Sequence, residues 1–218
     1  MIKTYDDIIH AFRFMEDIKY RDFIMKLVPT IDKKSIMGVR MGDLRSLARD
    51  IIKSHEINVF ERAKFYYREE KLLYALCMFK MSKGLDEALH KLDEFLPYIN
   101  SWEVTDLIAG EVLFDASMSE IVFNKALDYA NSCDEYTARL GLVIMLKKFN
   151  RAEYLPRILS SISSLKSNAY YVHIAAAWLL CELYFTDKLS VNEFLSCDEI
   201  DVEIKKMTQR KIRESMKK

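Results

Sequence analysis

Apolar positions return every three to four residues along nearly the whole chain, the spacing that lines one face of an α-helix. The segment LDEALHKLDEFL shows it plainly, with Leu85, Ala88, Leu92 and Phe95 on one side and carboxylates on the other. The pattern predicts helices near residues 5–17, 19–28, 43–54, 58–67, 69–83, 85–95 and 101–113. It continues near 117–130, 134–149, 152–164, 168–186, 190–196 and 200–215. Thr4 followed by Asp7 reads as a capping box for the first helix, and Pro29, Gly38 and Gly42 punctuate the next turns.

The links between these segments are short, which makes neighbouring helices antiparallel. Only 5 Gly and 3 Pro occur in 218 residues, too few for a strand-and-hairpin fold. No Ser-, Gly- or Pro-rich linker divides the chain, so one domain spanning residues 1–218 is expected. Similar apolar helices also recur at a steady interval. From Trp102 to Arg139 is 37 residues, and from Arg139 to Trp178 is 39. A period near 40 suits two-helix solenoid repeats, in which every second helix lines the concave surface. Trp102, Arg139 and Trp178 are then expected on successive inner helices.

Net charge is zero, which argues mildly against a nucleic-acid partner, but its distribution is uneven. Residues 85–135 carry net −10, residues 1–54 net +3 and residues 136–218 net +5. A basic face and an acidic back are compatible with a neutral total. Cys77, Cys133, Cys181 and Cys197 form no CxxC pair and read as reduced packing residues. His10, His55, His90 and His173 lack metal-ligand spacing, so no metal is expected. MIKTYDDIIHAF has no apolar run of a secretory signal, and no stretch of 18 apolar residues occurs. A cytoplasmic protein without a membrane span follows.

Trp102 and Asp106 lie four residues apart, on one helix face. Taken alone, the pair suits a packed indole beside a surface carboxylate. Trp178, in AAAW, suits a core position, while Arg139, in TARLGL, must reach a partner or snorkel out. The repeat interval would cluster two indoles, a carboxylate and a guanidinium in one groove. Indole faces attract cations, a carboxylate stabilises developing positive charge or orients a water, and a guanidinium forks onto phosphate.

Five segments together resemble the AlkD-like DNA alkylation repair glycosylases: GVRMGDLRSLARDI, INSWEVTDLI, TARLGLVIML, IAAAWLLCELYF and QRKIRES. The resemblance covers nearly the whole chain. It implies an all-α fold, a right-handed α-α superhelix (solenoid) of HEAT-like helical repeats with a concave DNA-binding groove. It also implies a monofunctional DNA glycosylase that releases cationic N3- or N7-alkylated purines from duplex DNA, without a cofactor; a monomer is the expectation for a closed solenoid with polar ends. By matching position, Trp102 and Trp178 contact the lesion's sugar, Asp106 stabilises the sugar cation and positions water, and Arg139 holds the adjacent backbone. Lys19, Arg21, Arg40, Arg45, Arg210 and Lys211 are candidates for phosphate contacts. Phe23 is the nearest match to the family's lesion-side aromatic near the N-terminus. One turn after Trp178 a basic side chain is expected, and this chain has Cys181 and Glu182. Two other classes stay open: a helical-repeat protein that grips DNA without chemistry, and a protein-interaction scaffold.

Overall fold

The computed structural model describes residues 2–55, 57–197 and 200–217. These form twelve α-helices joined by short turns and 3₁₀ segments, with no strand among the described residues. The first six are α1 (Tyr5–Phe14), α2 (Ile18–Leu27), α3 (Met41–Ser54), α4 (Arg68–Met81), α5 (Leu85–Phe95) and α6 (Trp102–Glu111). The others are α7 (Ser119–Ala130), α8 (Glu135–Lys148), α9 (Leu155–Ser163), α10 (Tyr170–Thr186), α11 (Lys188–Ser196) and α12 (Val202–Ser215).

Side-chain caps set several boundaries. Thr4 and Asp7 form the expected capping box at the start of α1. The pattern continues α1 to residue 17, but Asp17 instead caps α2 by accepting from the Tyr20 N–H at 3.0 Å. An N-cap residue has extended backbone, so it cannot also continue the preceding helix. Asp134 and Asp201 cap α8 and α12 in the same way.

The helix expected over residues 58–67 does not form; a 3₁₀ turn at Ile57–Phe60 and irregular chain replace it. Phe65 adopts a left-handed conformation with φ 49°. That turn packs its ring 5.0 Å from Tyr74, 4.8 Å from Phe95 and 4.9 Å from Tyr98. Long-range aromatic packing here overrides local helical periodicity.

The chain gathers into two compact units, Met1–Leu113 and Phe114–Lys218. In the first, α4 packs against α3, α5 and α6. In the second, α10 packs between α8 and α12, and α7 covers α8 and reaches α9. Alternate helices therefore form a shared layer, the packing of an α-α helical repeat. The central helices are buried nearly all round; α8 buries every residue from Ala138 to Leu146. Gly141 makes the α7–α8 contact possible. A Cβ there would lie 2.3 Å from the Ala130 nitrogen and 2.4 Å from the Ala126 carbonyl oxygen.

Candidate functional site

Helix α6 carries the first pair of candidates in a half-buried setting. Trp102 is its first residue and packs against the apolar cluster of Ile24, Val28, Ile31 and Ile36. Tyr20 and Met25 pack on the same cluster. Asp106 lies one turn on and is also half-buried. Between them, Thr105 is fully buried, with its hydroxyl 2.8 Å from the Trp102 carbonyl and 3.1 Å from Asp106 Oδ1.

Both ends of α6 are tied down by charge. At its start, Glu103 receives two bonds from Arg68, from Nε at 2.7 Å and from Nη2 at 2.8 Å. Arg68 also donates to Glu69 at 3.2 Å, and Glu69 accepts the backbone N–H groups of Met37 and Gly38 at 3.1 and 3.0 Å. Burial opposes the charge on Arg68, but the bonds and charge of Glu103, with Glu69, outweigh it and hold the guanidinium's pKa above its ordinary value. At the far end, Glu111 meets Arg45 at 3.4 Å and Lys80 at 2.7 Å. The indole and carboxylate thus project from a helix held at two points.

The second unit holds Arg139 and Trp178. Arg139 reaches a partner rather than snorkelling: it is 4 % exposed and donates to the Tyr171 carbonyl at 2.9 Å. Glu135 accepts the Tyr171 N–H at 2.9 Å, so α8 grips the first turn of α10 by both backbone groups of one residue. Trp178 is half-buried on α10, and its indole N–H donates to the exposed Glu182 at 3.3 Å. Cys181 is buried, and burial raises its thiol pKa.

A family model for the DNA alkylation repair enzyme matches residues 11–218. The chain belongs to that family. No curated protein sequence matches it. The substrate of a DNA alkylation repair enzyme is damaged DNA, which gives the placement of its cations direct meaning. Lys19 is exposed. Arg21 meets Glu16 at 3.0 Å. Arg40 lies 2.7 Å from Asp17 and 4.9 Å above the Tyr20 ring. Arg45 shares Glu111 with Lys80, and Arg210 meets Glu214 at 2.8 Å. Lys211 is half-buried on α12. Arg21, Arg40, Arg45 and Arg210 therefore sit in exposed or half-exposed ion pairs, where each pair contributes little and exchanges readily.

Phe23 is 57 % exposed and stacks 6.3 Å from Tyr20. Tyr20, which sequence reasoning passed over, is the α2 ring that shares an apolar cluster with Trp102. Arg68, Glu103 and Thr105 were missed as well. REEK looks like a solvated helix start, and its burial follows from Glu103, 35 residues away. A cavity of about 420 Å³ between α4 and α5, lined by Phe65, Tyr74, Cys77 and Tyr98, contains none of the candidates. Burial pushes its Cys77 thiol up to about 12, which keeps it a poor nucleophile at neutral pH. Among the described residues no group of three or more His, Cys, Asp or Glu is arranged to hold a metal, and no helix is long and apolar enough to cross a membrane.

Proposed function

We propose that the protein is a monofunctional DNA glycosylase that hydrolyses the N-glycosidic bond of cationic N3- and N7-alkylated purines in duplex DNA. Alkylation places a positive charge on the purine, so the base departs with the bonding electrons and becomes neutral. The sugar left behind develops oxocarbenium character. Asp106 stabilises that charge and orients a water. The water's oxygen adds to C1′, and its proton passes to the carboxylate. Trp102 offers an indole face to the same cationic sugar. The carrying observation is the pair itself: an indole and a carboxylate one turn apart on a helix fixed at both ends.

Trp178 keeps the sugar-contact role that the resemblance implies. Arg139 is 4 % exposed and grips the Tyr171 carbonyl, so the backbone-contact role that the resemblance implies needs its guanidinium to turn outward, and Arg139→Ala is expected to lower stability first and DNA affinity with it. The decisive measurement is free base released from duplex DNA carrying N7-methylguanine. The wild type should release base well above the spontaneous rate, and Asp106→Asn should lower the rate by about a hundredfold or more. Release at background by the wild type overturns the proposal.

A DNA-binding protein without glycosylase chemistry is the second reading. Glu182 favours it, because a carboxylate beside Trp178 repels phosphate where a cation would attract it. Salt-dependent duplex binding with no base release is its signature.

A further inference from the structure

Thr105 touches both residues on which the proposed chemistry rests. Its hydroxyl oxygen lies 2.8 Å from the Trp102 carbonyl and 3.1 Å from Asp106 Oδ1, on a side chain with no solvent exposure. A hydroxyl carries one proton and gives it to one acceptor at a time, while its lone pairs remain free to accept. Two arrangements follow. With Asp106 ionised, the Thr105 proton turns to Oδ1. With Asp106 protonated, the carboxylic acid donates to Thr105 Oγ1, and the Thr105 proton turns to the Trp102 carbonyl. Each arrangement leaves every proton present in a hydrogen bond, with no movement of a heavy atom.

Threonine inside a helix commonly bonds back to the carbonyl of the preceding turn, and that bond alone does nothing for a neighbour. The carboxylate oxygen within hydrogen-bond distance is the additional observation. Resting on the glycosylase reading above, we propose that Thr105 is a positioning residue that holds the Asp106 carboxylate in one orientation through both of its protonation states. Hydrolysis moves a water proton onto Asp106, and the hydroxyl reorients as that proton arrives. Burial of Thr105 keeps bulk water from competing for the contact.

The test compares Thr105→Val, which keeps the shape and removes the hydroxyl, with Thr105→Ser, which keeps the hydroxyl. Single-turnover release from N7-methylguanine duplex, KM and thermal midpoints are measured on the full chain, with Asp106→Asn and the double variant alongside. Thr105→Val should lower kcat about tenfold with KM changed less than about twofold, and Thr105→Ser should recover most of the loss. In the Asp106→Asn background, Thr105→Val should have no further effect, because the two act as a unit. An active wild type with kcat unchanged in Thr105→Val overturns the role of Thr105 and leaves the glycosylase reading standing. A loss that persists undiminished beside Asp106→Asn also overturns it. A wild type that releases no base overturns both.

Discussion

Lys71 lies one turn into α4, 5 % exposed, and no ion pair holds its ammonium among the described residues. Burial lowers its pKa from 10.5 to about 8, against a smaller opposing pull from Glu70. The folded state therefore binds this proton more weakly than the unfolded chain does. The resulting penalty is fully present below pH 8 and fades as pH rises towards 10.5, where the unfolded chain also releases the proton. Lys71→Met should stabilise the protein by about 3 kcal/mol at pH 7, with the gain shrinking towards pH 10. Denaturant unfolding of both chains across that range checks it, and a gain independent of pH would contradict the assignment. Residue chemistry of this kind was hidden in the sequence. REEKLL looks like a charged helix start, whereas Arg68, Glu69, Glu70 and Lys71 are all buried.

Helices are the scale at which the sequence was most legible. Periodicity located all twelve, and the Thr4 and Asp7 cap, because both signals are local. The segment 58–67 went wrong because its aromatic partners come from α4 and α5 and the following turn. The placement of α6 was equally illegible, since it depends on Arg68 meeting Glu103 and Lys80 meeting Glu111 across packed helices. Arg68→Met should destabilise the fold by about 3–5 kcal/mol, because it leaves Glu69 and Glu103 charged without their partner. Urea denaturation reads that loss. Gly141→Ala should also destabilise, by about 1–3 kcal/mol, since its Cβ collides with α7 backbone rather than with a movable side chain. A Gly141→Ala chain as stable as the wild type would mean that α7 and α8 separate at little cost.

Charge at the scale of the whole molecule is nearly balanced in each unit. The first holds 18 basic and 19 acidic residues, and the second 15 and 14. Acidic side chains already occupy Arg21, Arg40, Arg45 and Arg210, so phosphate must displace one carboxylate for each arginine it gains. Removing a competing carboxylate should therefore tighten DNA binding. Glu111→Gln, which frees Arg45 and Lys80, should raise duplex affinity by about two- to fivefold at low salt, read by fluorescence anisotropy of a labelled duplex. Unchanged affinity would remove Arg45 from the DNA contacts. Composition showed the neutral total but not which charges are matched, because matching is decided by the fold. The two tryptophans have a further use. They are the only indoles in the chain, and both are candidate site residues. Trp102 rests on aliphatic side chains, whereas Trp178 donates its N–H to a carboxylate at 3.3 Å. Their emission should differ in wavelength, Trp102 to the blue and Trp178 to the red. Ultraviolet fluorescence of the unlabelled protein thus provides two separable optical channels, and Phe substitution of either indole leaves the other as a lone internal lamp for watching DNA arrive.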